Sequence, residues 1–328
     1  MNYLITGGMG FIGSHLAEAY LKNNNTVYVI DNLTTGSLSN IKHLRRNPHY
    51  NDRFFTIVED ILNYDKMEDL ISKVDIIIHL AAAVGVQYII ENPISSIVTN
   101  VRGTEIVLEI ANKYKKKVLI ASSSEVYGKH THAPLKETDD CIYGPSSKFR
   151  WSYAAGKFMD EFTALAYNKE KGLPVVVVRL FNTVGPRQTG RYGMVIPRFV
   201  KQALSGEPIT VYGDGMQTRT FTHVKDVVKC IRLLLESEKA VGEVVNIGGN
   251  EEISILNLAK KIKEMTKSKS KIKLIPYSEA YPKDFEDMKR RVPSLEKLKT
   301  LIGYSPSTPL SNILQDVIEY FRHETDIS

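Results

Sequence analysis

Two short stretches of this 328-residue chain carry side chains whose types and spacing could move a proton and a hydride. "SSSEVYG", Ser122 to Gly128, follows the apolar run "KVLIA" and sets hydroxyls beside the carboxylate of Glu125. "RWSYAAGKF" places Tyr153 and Lys157 four residues apart, hence on one face of a helix. A phenol with an ordinary pKa of about 10 is a poor base at neutral pH. A neighbouring ammonium and a cationic hydride acceptor would both favour the phenolate. Tyr153 would then take a hydroxyl proton while hydride leaves the same carbon, with Ser123 hydrogen-bonded to that oxygen. A bare Tyr-x-x-x-Lys is common on surface helices, so its meaning rests on what surrounds it.

A nucleotide site surrounds it. "GGMGFIGSHLAEAYL" begins after a first strand pattern and opens a helix, with Gly7, Gly10 and Gly13 in G-x-x-G-x-x-G spacing. Such glycines let the backbone approach a pyrophosphate at the positive end of a helix. Asp31 ends the second strand pattern, where it would accept hydrogen bonds from ribose hydroxyls and repel a 2′-phosphate. NAD is therefore expected rather than NADP. Asp60 closes the third strand and either meets the adenine edge or simply ends the strand. Ala81 and Ala82 after the fourth either admit the cofactor closely or merely follow the strand.

These residues need a scaffold, and the β-branched runs supply it: "NYLIT", "TVYVID", "FFTIVED", "VDIIIHLAA", "KVLIASS", "PVVVVRLFN" and "VVNIGG". They are short and continuous, as strands buried on both sides should be. Helical patterns alternate with them, one carrying Val107, Ile110, Ala111 and Tyr114, another Phe158, Phe162 and Leu165. The expected fold is α/β: a Rossmann-type doubly wound parallel sheet with a smaller C-terminal α/β substrate lobe. Residues 1–182 plus 220–249 would form the NAD-binding domain. Residues 183–219, rich in Gly, Pro and Arg, would join 250–328 in the nucleotide-sugar lobe.

Composition excludes several classes. Hydrophobic content of 43% and charged content of 24% are those of an ordinary globular chain, and no apolar run suffices to span a bilayer. The N-terminus shows no secretory pattern and there are only two cysteines, Cys141 and Cys230, which together point to the cytoplasm. The net charge of +6 and the stretch "KKIKEMTKSKSKIK" lack interleaved aromatics, so a solvated helix face is expected, not a nucleic-acid surface. No His/Cys/Asp/Glu cluster has metal spacing, and His79, ending a buried strand, reads as a core histidine.

The glycine motif, Asp31, Asp60, "HLAAAV", "SSSEVYG", Tyr153/Lys157, "RLFNTVGPRQ" and "GDGMQTRTFTHVKD" together resemble an extended short-chain dehydrogenase/reductase acting on nucleotide sugars. The resemblance spans almost the whole chain. It implies oxidation of the sugar at C4 by tightly held NAD and a cofactor set that also includes Phe11, Ile12, Asn32, Ile61 and Asn100. Ser124, Arg150, Asn182, Tyr212, Arg219, Arg290 and Arg291 would contact the nucleotide sugar, with Tyr212 stacking beside the base or simply packing. Arg187, Arg191 and Arg198 carry no assignment. The resemblance further implies a homodimer, paired through the two helices that follow the fourth and fifth strands in a four-helix bundle.

Within that family Glu125 discriminates. Dehydratases carry Thr-Asp-Glu where this chain has Ser123-Ser124-Glu125, so the acid that protonates a departing hydroxyl is missing here. Epimerases usually have a small hydroxyl residue in place of Glu125. Decarboxylases match "SEVYG" and the arginine three residues before the tyrosine, here Arg150, although "RRVPS" departs from their usual Pro-Asp ending at Ser294. The expected activity is decarboxylation of a nucleotide-uronic acid, of the UDP-glucuronate to UDP-xylose type, with Ser123, Glu125, Tyr153 and Lys157 as its catalytic set. The alternatives are a UDP-sugar 4-epimerase, less readily a 4,6-dehydratase, and a catalytically silent NAD-binding regulator.

Overall fold

The apolar runs become seven parallel strands: β1 (Asn2–Thr6), β2 (Thr26–Asp31), β3 (Phe54–Val58), β4 (Ile76–His79), β5 (Lys117–Ser123), β6 (Val175–Leu180) and a seventh, Val244–Ile247. The computed structural model describes residues 1–190, 194–280 and 288–325. The strand order is β3-β2-β1-β4-β5-β6 and then the seventh, which is doubly wound, as expected. Alternate side chains go to opposite faces. Ile5, Val29, Ile78, Leu119 and Val178 enter one core, and their neighbours Leu4, Ile30, Ile77, Ile120 and Val177 enter the other. Both faces are covered, which is why the strands read as continuous rather than alternating.

The first βα turn is packed tightly enough to need its glycines. Gly7 adopts φ +67°, and a Cβ at Gly13 would lie 2.3 Å from the Gly7 carbonyl oxygen. The chain therefore enters the helix Phe11–Lys22 against its own backbone.

Both helical patterns are found, but they bury different kinds of surface. Gly103–Lys113 buries Val107, Ile110 and Ala111, as its spacing predicts. Arg150–Lys171 turns Phe162 outward, 56% exposed, and buries Lys157, Asp160 and Glu161 with Trp151, Ala154 and Ala164. A helix normally buries its apolar face. Here charged residues are buried, and each meets an opposite charge. Lys157 faces Asp160 at 2.9 Å, and the Arg179 guanidinium of β6 reaches both oxygens of Glu161 at 3.0 and 2.7 Å. Ser122 of β5 donates to the same carboxylate at 2.5 Å. The helix is thereby locked to β5 and β6, and β5 delivers Ser123 and Glu125.

After β6 a third core gathers Val184, Phe199, Val211, Leu258, Ile262, Leu314 and Phe321. Ile209–Tyr212 pairs in parallel with Ile272–Ile275, while Thr218–Thr220 lies between Glu252–Ser254 and Arg290–Arg291. The helix Val224–Glu236 packs on the first core, as does Leu298 of the helix Glu296–Ile302. The last segment thus returns to the large sheet before its final helix, Leu310–Thr325, rejoins the smaller core.

Removing one member of a buried ion pair leaves an uncompensated charge, which costs about 3–5 kcal/mol. Arg179→Met should lower unfolding stability by that order in urea titrations, and Arg179→Met/Glu161→Gln should recover part of the loss. Equal stability of Arg179→Met and wild type would contradict the locking role.

Candidate active site

A cavity of about 1080 Å³ runs along the carboxyl ends of the strands and continues between the sheet and the smaller core. In doubly wound sheets this is where ligands bind. At one end it is lined by Gly7, Gly10, Phe11, Ile12 and Gly13, and by Asp31, Asn32, Asp60, Ile61, Ala81 and Ala82.

This end fits a dinucleotide. Asp31 is nearly buried and receives the backbone N–H groups of Met9 at 3.1 Å and Leu33 at 2.8 Å, one on each oxygen. The Gly10 N–H also bears on this carboxylate, and the lone pairs that remain would accept from ribose hydroxyls. Burial nudges its carboxyl upward while the backbone N–H groups pull it back. Asn32 donates to Asp60 at 3.0 Å, which ties the ends of β2 and β3 together. At Gly10, which precedes the helix, no side chain caps the first turn. Its N–H groups suit a pyrophosphate.

Asn100, predicted to contact the cofactor, and His79, predicted as a core residue, both act from behind the wall. Asn100 is buried and does not line the cavity; its amide accepts from the Ala83 N–H at 2.7 Å and donates to the Ala83 carbonyl. His79 proves to be the expected core histidine. Thr104 gives its hydroxyl hydrogen to the Asn100 carbonyl, so His79 Nε2 must donate to Thr104 while Nδ1 accepts from Thr6. Thr6 in turn accepts the Ala81 N–H. Burial keeps the imidazole neutral, down to about 3. The sheet and the helix behind it thus shape the 81–83 backbone through neutral hydrogen bonds alone.

Midway along, Ser123, Ser124, Glu125, Arg150 and Tyr153 converge on the cavity. Ser123 caps the turn after β5, accepting the Glu125 N–H at 3.2 Å, and its hydroxyl also hydrogen-bonds Tyr153. Lys157 lies behind Tyr153 rather than on the wall. Burial pushes the Tyr153 phenol up; Lys157 and Ser123 pull it down, while Glu125 and Asp160 push it further up. In the protein alone the phenol is therefore less acidic than an exposed tyrosine: Lys157 pulls it down as expected, but burial outweighs the lysine. The sequence showed the lysine but neither the depth of burial nor the carboxylates nearby.

Glu125 is the centre of an ion cluster. Arg291 reaches one oxygen at 2.6 Å and Arg150 the other at 3.2 Å, leaving the side chain 24% exposed. Burial opposes the charge, yet Arg291, Arg150 and the nearby Arg219 outweigh it and hold the carboxyl down at about 2. Glu125 is thus a fixed anion amid three cations, not a proton donor, and its own charge does not dominate its surroundings. Arg219, itself buried, donates to the Thr218 carbonyl, and Asn182 donates to the Thr220 carbonyl, so both brace the wall they line.

Arg290 does not join its neighbour. Adjacent strand residues point to opposite sides. Arg290 faces outward, half exposed, and grips Glu252 with two bonds of 2.8 Å. The far end of the cavity carries groups that had no assignment. Arg198 lies over the Tyr212 ring at 4.0 Å and Lys201 over the Phe321 ring at 4.7 Å. Their i, i+3 spacing on the helix Val195–Ser205 was the available signal. Arg187 also lines the cavity and is held by Glu18 and His43, whereas Arg191 lies outside the described residues. Among the described residues there is no group of acidic, histidine or cysteine side chains fit for a metal. None of their helices is long and apolar enough to cross a membrane.

Residues 4–317 match the GDP-mannose 4,6-dehydratase family. The chain is 43% identical over 320 residues, 97% of each protein, to a UDP-N-acetyl-alpha-D-glucosaminuronate decarboxylase of Bacillus cytotoxicus. It is 38% identical to UDP-glucuronic acid decarboxylase 1 of Xenopus tropicalis, over 98% of this chain and 72% of the relative. Its fold is similar, at TM-score 0.88 and 32% identity, to a UDP-glucuronic acid 4-epimerase of Bacillus cereus in complex with UDP-glucuronic acid and NAD; 99% of this chain and 100% of that one are covered.

A carboxyl whose folded value lies below its ordinary 4.5 binds fewer protons folded than unfolded, so its contribution is present above 4.5 and lost as pH falls toward about 2. Glu125→Gln should melt below wild type at neutral pH, and the gap should close across that acidic window. A gap independent of pH in thermal melts would mean that the ion cluster does not form.

Proposed function

The chain belongs to the GDP-mannose 4,6-dehydratase family, and from that membership we propose that it decarboxylates a nucleotide-uronic acid, using NAD, through a 4-keto intermediate. The observation that carries this reading is the Arg150–Glu125–Arg291 cluster beside Tyr153. NAD, which Gly7, Gly10, Gly13 and Asp31 would hold, would supply the hydride acceptor for C4 and later the donor. Tyr153 takes the C4 hydroxyl proton, and Ser123 holds the same oxygen.

The oxidised sugar is a β-keto acid. The bond from C5 to its carboxylate breaks, carbon dioxide departs, and the electron pair moves onto the C4 oxygen held by Tyr153 and Ser123. C5 then takes up a proton. Nothing in this sequence needs an acid to expel a hydroxyl, and none is present: Ser124 cannot serve, and Glu125 stays ionised. Glu125 instead engages one guanidinium nitrogen of Arg150 and one of Arg291. Each guanidinium thus shares its charge with a fixed anion, which weakens any clamp on the substrate carboxylate, an interaction that would stabilise the ground state more than the transition state. With Arg219, three guanidiniums against one carboxylate leave the wall positive, which suits a diphosphate and an anionic sugar together. Arg198 beside Tyr212 and Lys201 beside Phe321 add cations at the far end of the cavity, away from the glycine turn.

The same wall suits a 4-epimerase of uronic acids, the activity in the name of the structurally similar Bacillus cereus enzyme. The products separate the two. With NAD and either UDP-N-acetylglucosaminuronate or UDP-glucuronate, the enzyme should release carbon dioxide and a sugar lighter by that mass. An epimerised uronate of unchanged mass would sink the decarboxylase reading. Tyr153→Phe should slow carbon dioxide release by about 10²–10⁴.

The helix Arg150–Lys171 also supports a homodimer through a four-helix bundle. Its outward face presents Ala155, Met159, Phe162 and Ala166 at i, i+4, i+7, i+11, and Ile94, Ile97 and Val98 are exposed on the adjoining helical segments. An unbroken apolar stripe of this kind marks an association surface. Phe162→Glu should shift the protein from dimer to monomer in sedimentation experiments; a wild-type protein that already sediments as a monomer would refute the pairing.

A further inference from the structure

Lys157 belongs to the expected catalytic set, but the partner it meets behind Tyr153, Asp160, has no part in the chemistry described above. Lys157 and Asp160 share one helix face at i, i+3, their charged atoms 2.9 Å apart and their side chains 2% and 1% exposed. An ammonium in so dry a place tends to lose its proton unless an anion faces it. The other charged or titratable groups around it are Tyr153 and Glu161 on the same helix, His79 on β4, and Glu125 on the turn after β5. His79 is neutral, Glu161 is committed to Arg179 and Ser122, and Glu125 is committed to Arg150 and Arg291. Asp160 is thus the one carboxylate among them that is given over to Lys157.

We propose that Asp160 is a positioning residue for the proton transfer at Tyr153: its carboxylate fixes the Lys157 ammonium behind the phenol and keeps that ammonium charged throughout the working pH range. The inference rests on Tyr153 being the base. The arrangement has two opposed effects. Asp160 itself disfavours the phenolate, but without it the lysine that favours the phenolate would be neutral. The second effect is the larger, because Tyr153 is nearer to Lys157 in charge effect than to Asp160: the lysine is the leading influence after burial and the aspartate the last. Burial alone would pull the Lys157 ammonium down; Asp160 and its neighbours more than offset this, and its net displacement is upward.

The test is Asp160→Asn, read in two ways. In the variant Lys157 would titrate below its unfolded value, so the unfolded chain holds the extra proton and folding gains as pH rises. The melting temperature of Asp160→Asn should therefore lie below that of wild type at neutral pH and approach it as pH rises toward about 10. This reading needs no substrate and stands even if no uronic acid is turned over. In carbon dioxide release, the acid limb of the kcat profile should move up by about one pH unit or more. That corresponds to about tenfold slower turnover below the limb, with KM little changed. Asp160→Glu should restore most of both. If Asp160→Asn does not fold, Lys157→Gln/Asp160→Asn, which has no orphan ammonium, should fold. A melting gap that does not vary with pH, an acid limb that stays or moves down, or a double variant no more stable than the single would each overturn the assignment.

Discussion

The contact between Glu125 and its two arginines joins three distant parts of the chain. Glu125 follows β5, Arg150 opens the long helix, and Arg291 comes from the short strand at the edge of the smaller core. A carboxylate and two guanidiniums so poorly exposed to water are tolerable only together. The sheet, the helix and the smaller core must therefore meet at one place and in one register. The middle of the cavity is the place where that condition is met.

Electrostatic bookkeeping elsewhere follows the same rule. The long helix buries three charges and has an answering charge for each: Lys157 with Asp160, Glu161 with Arg179. The histidine at the middle of the sheet avoids the problem by staying neutral between two threonines. These pairs stabilise little relative to apolar residues of the same shape. Their value lies in orientation, since each holds a side chain that the cavity needs behind or beside the reacting groups.

Much of this was legible in the sequence, because it depends on local pattern. β-branched continuity located all seven strands of the sheet, and the glycine spacing with Asp31 located the nucleotide end. Tyr153 and Ser123 meet as their positions suggested. What was not legible depended on partners remote in sequence. Arg290 and Arg291 are indistinguishable as letters, and only the pairing of their two-residue strand decides which one faces inward. Asn100 is at the cofactor wall but acts on the Ala83 backbone instead of reaching into the cavity. Glu125 was recognisable as unusual, yet its arginine partners 25 and 166 residues away make it a neutralising group rather than a bare negative charge. The apolar spacing of Phe158, Phe162 and Leu165 found the helix but not its inward face, because paired charges replaced hydrophobic side chains there.

The chain passes back and forth between the large sheet and the smaller core: out after β6, back for the helix Val224–Glu236 and the seventh strand, out again, back for Glu296–Ile302, and out once more. Two cores stitched by several crossings cannot swing on one tether, so any opening of the cleft must bend every crossing together. A protease that nicks one crossing would leave both halves attached through the others. By the same logic neither half can be excised as one contiguous gene fragment.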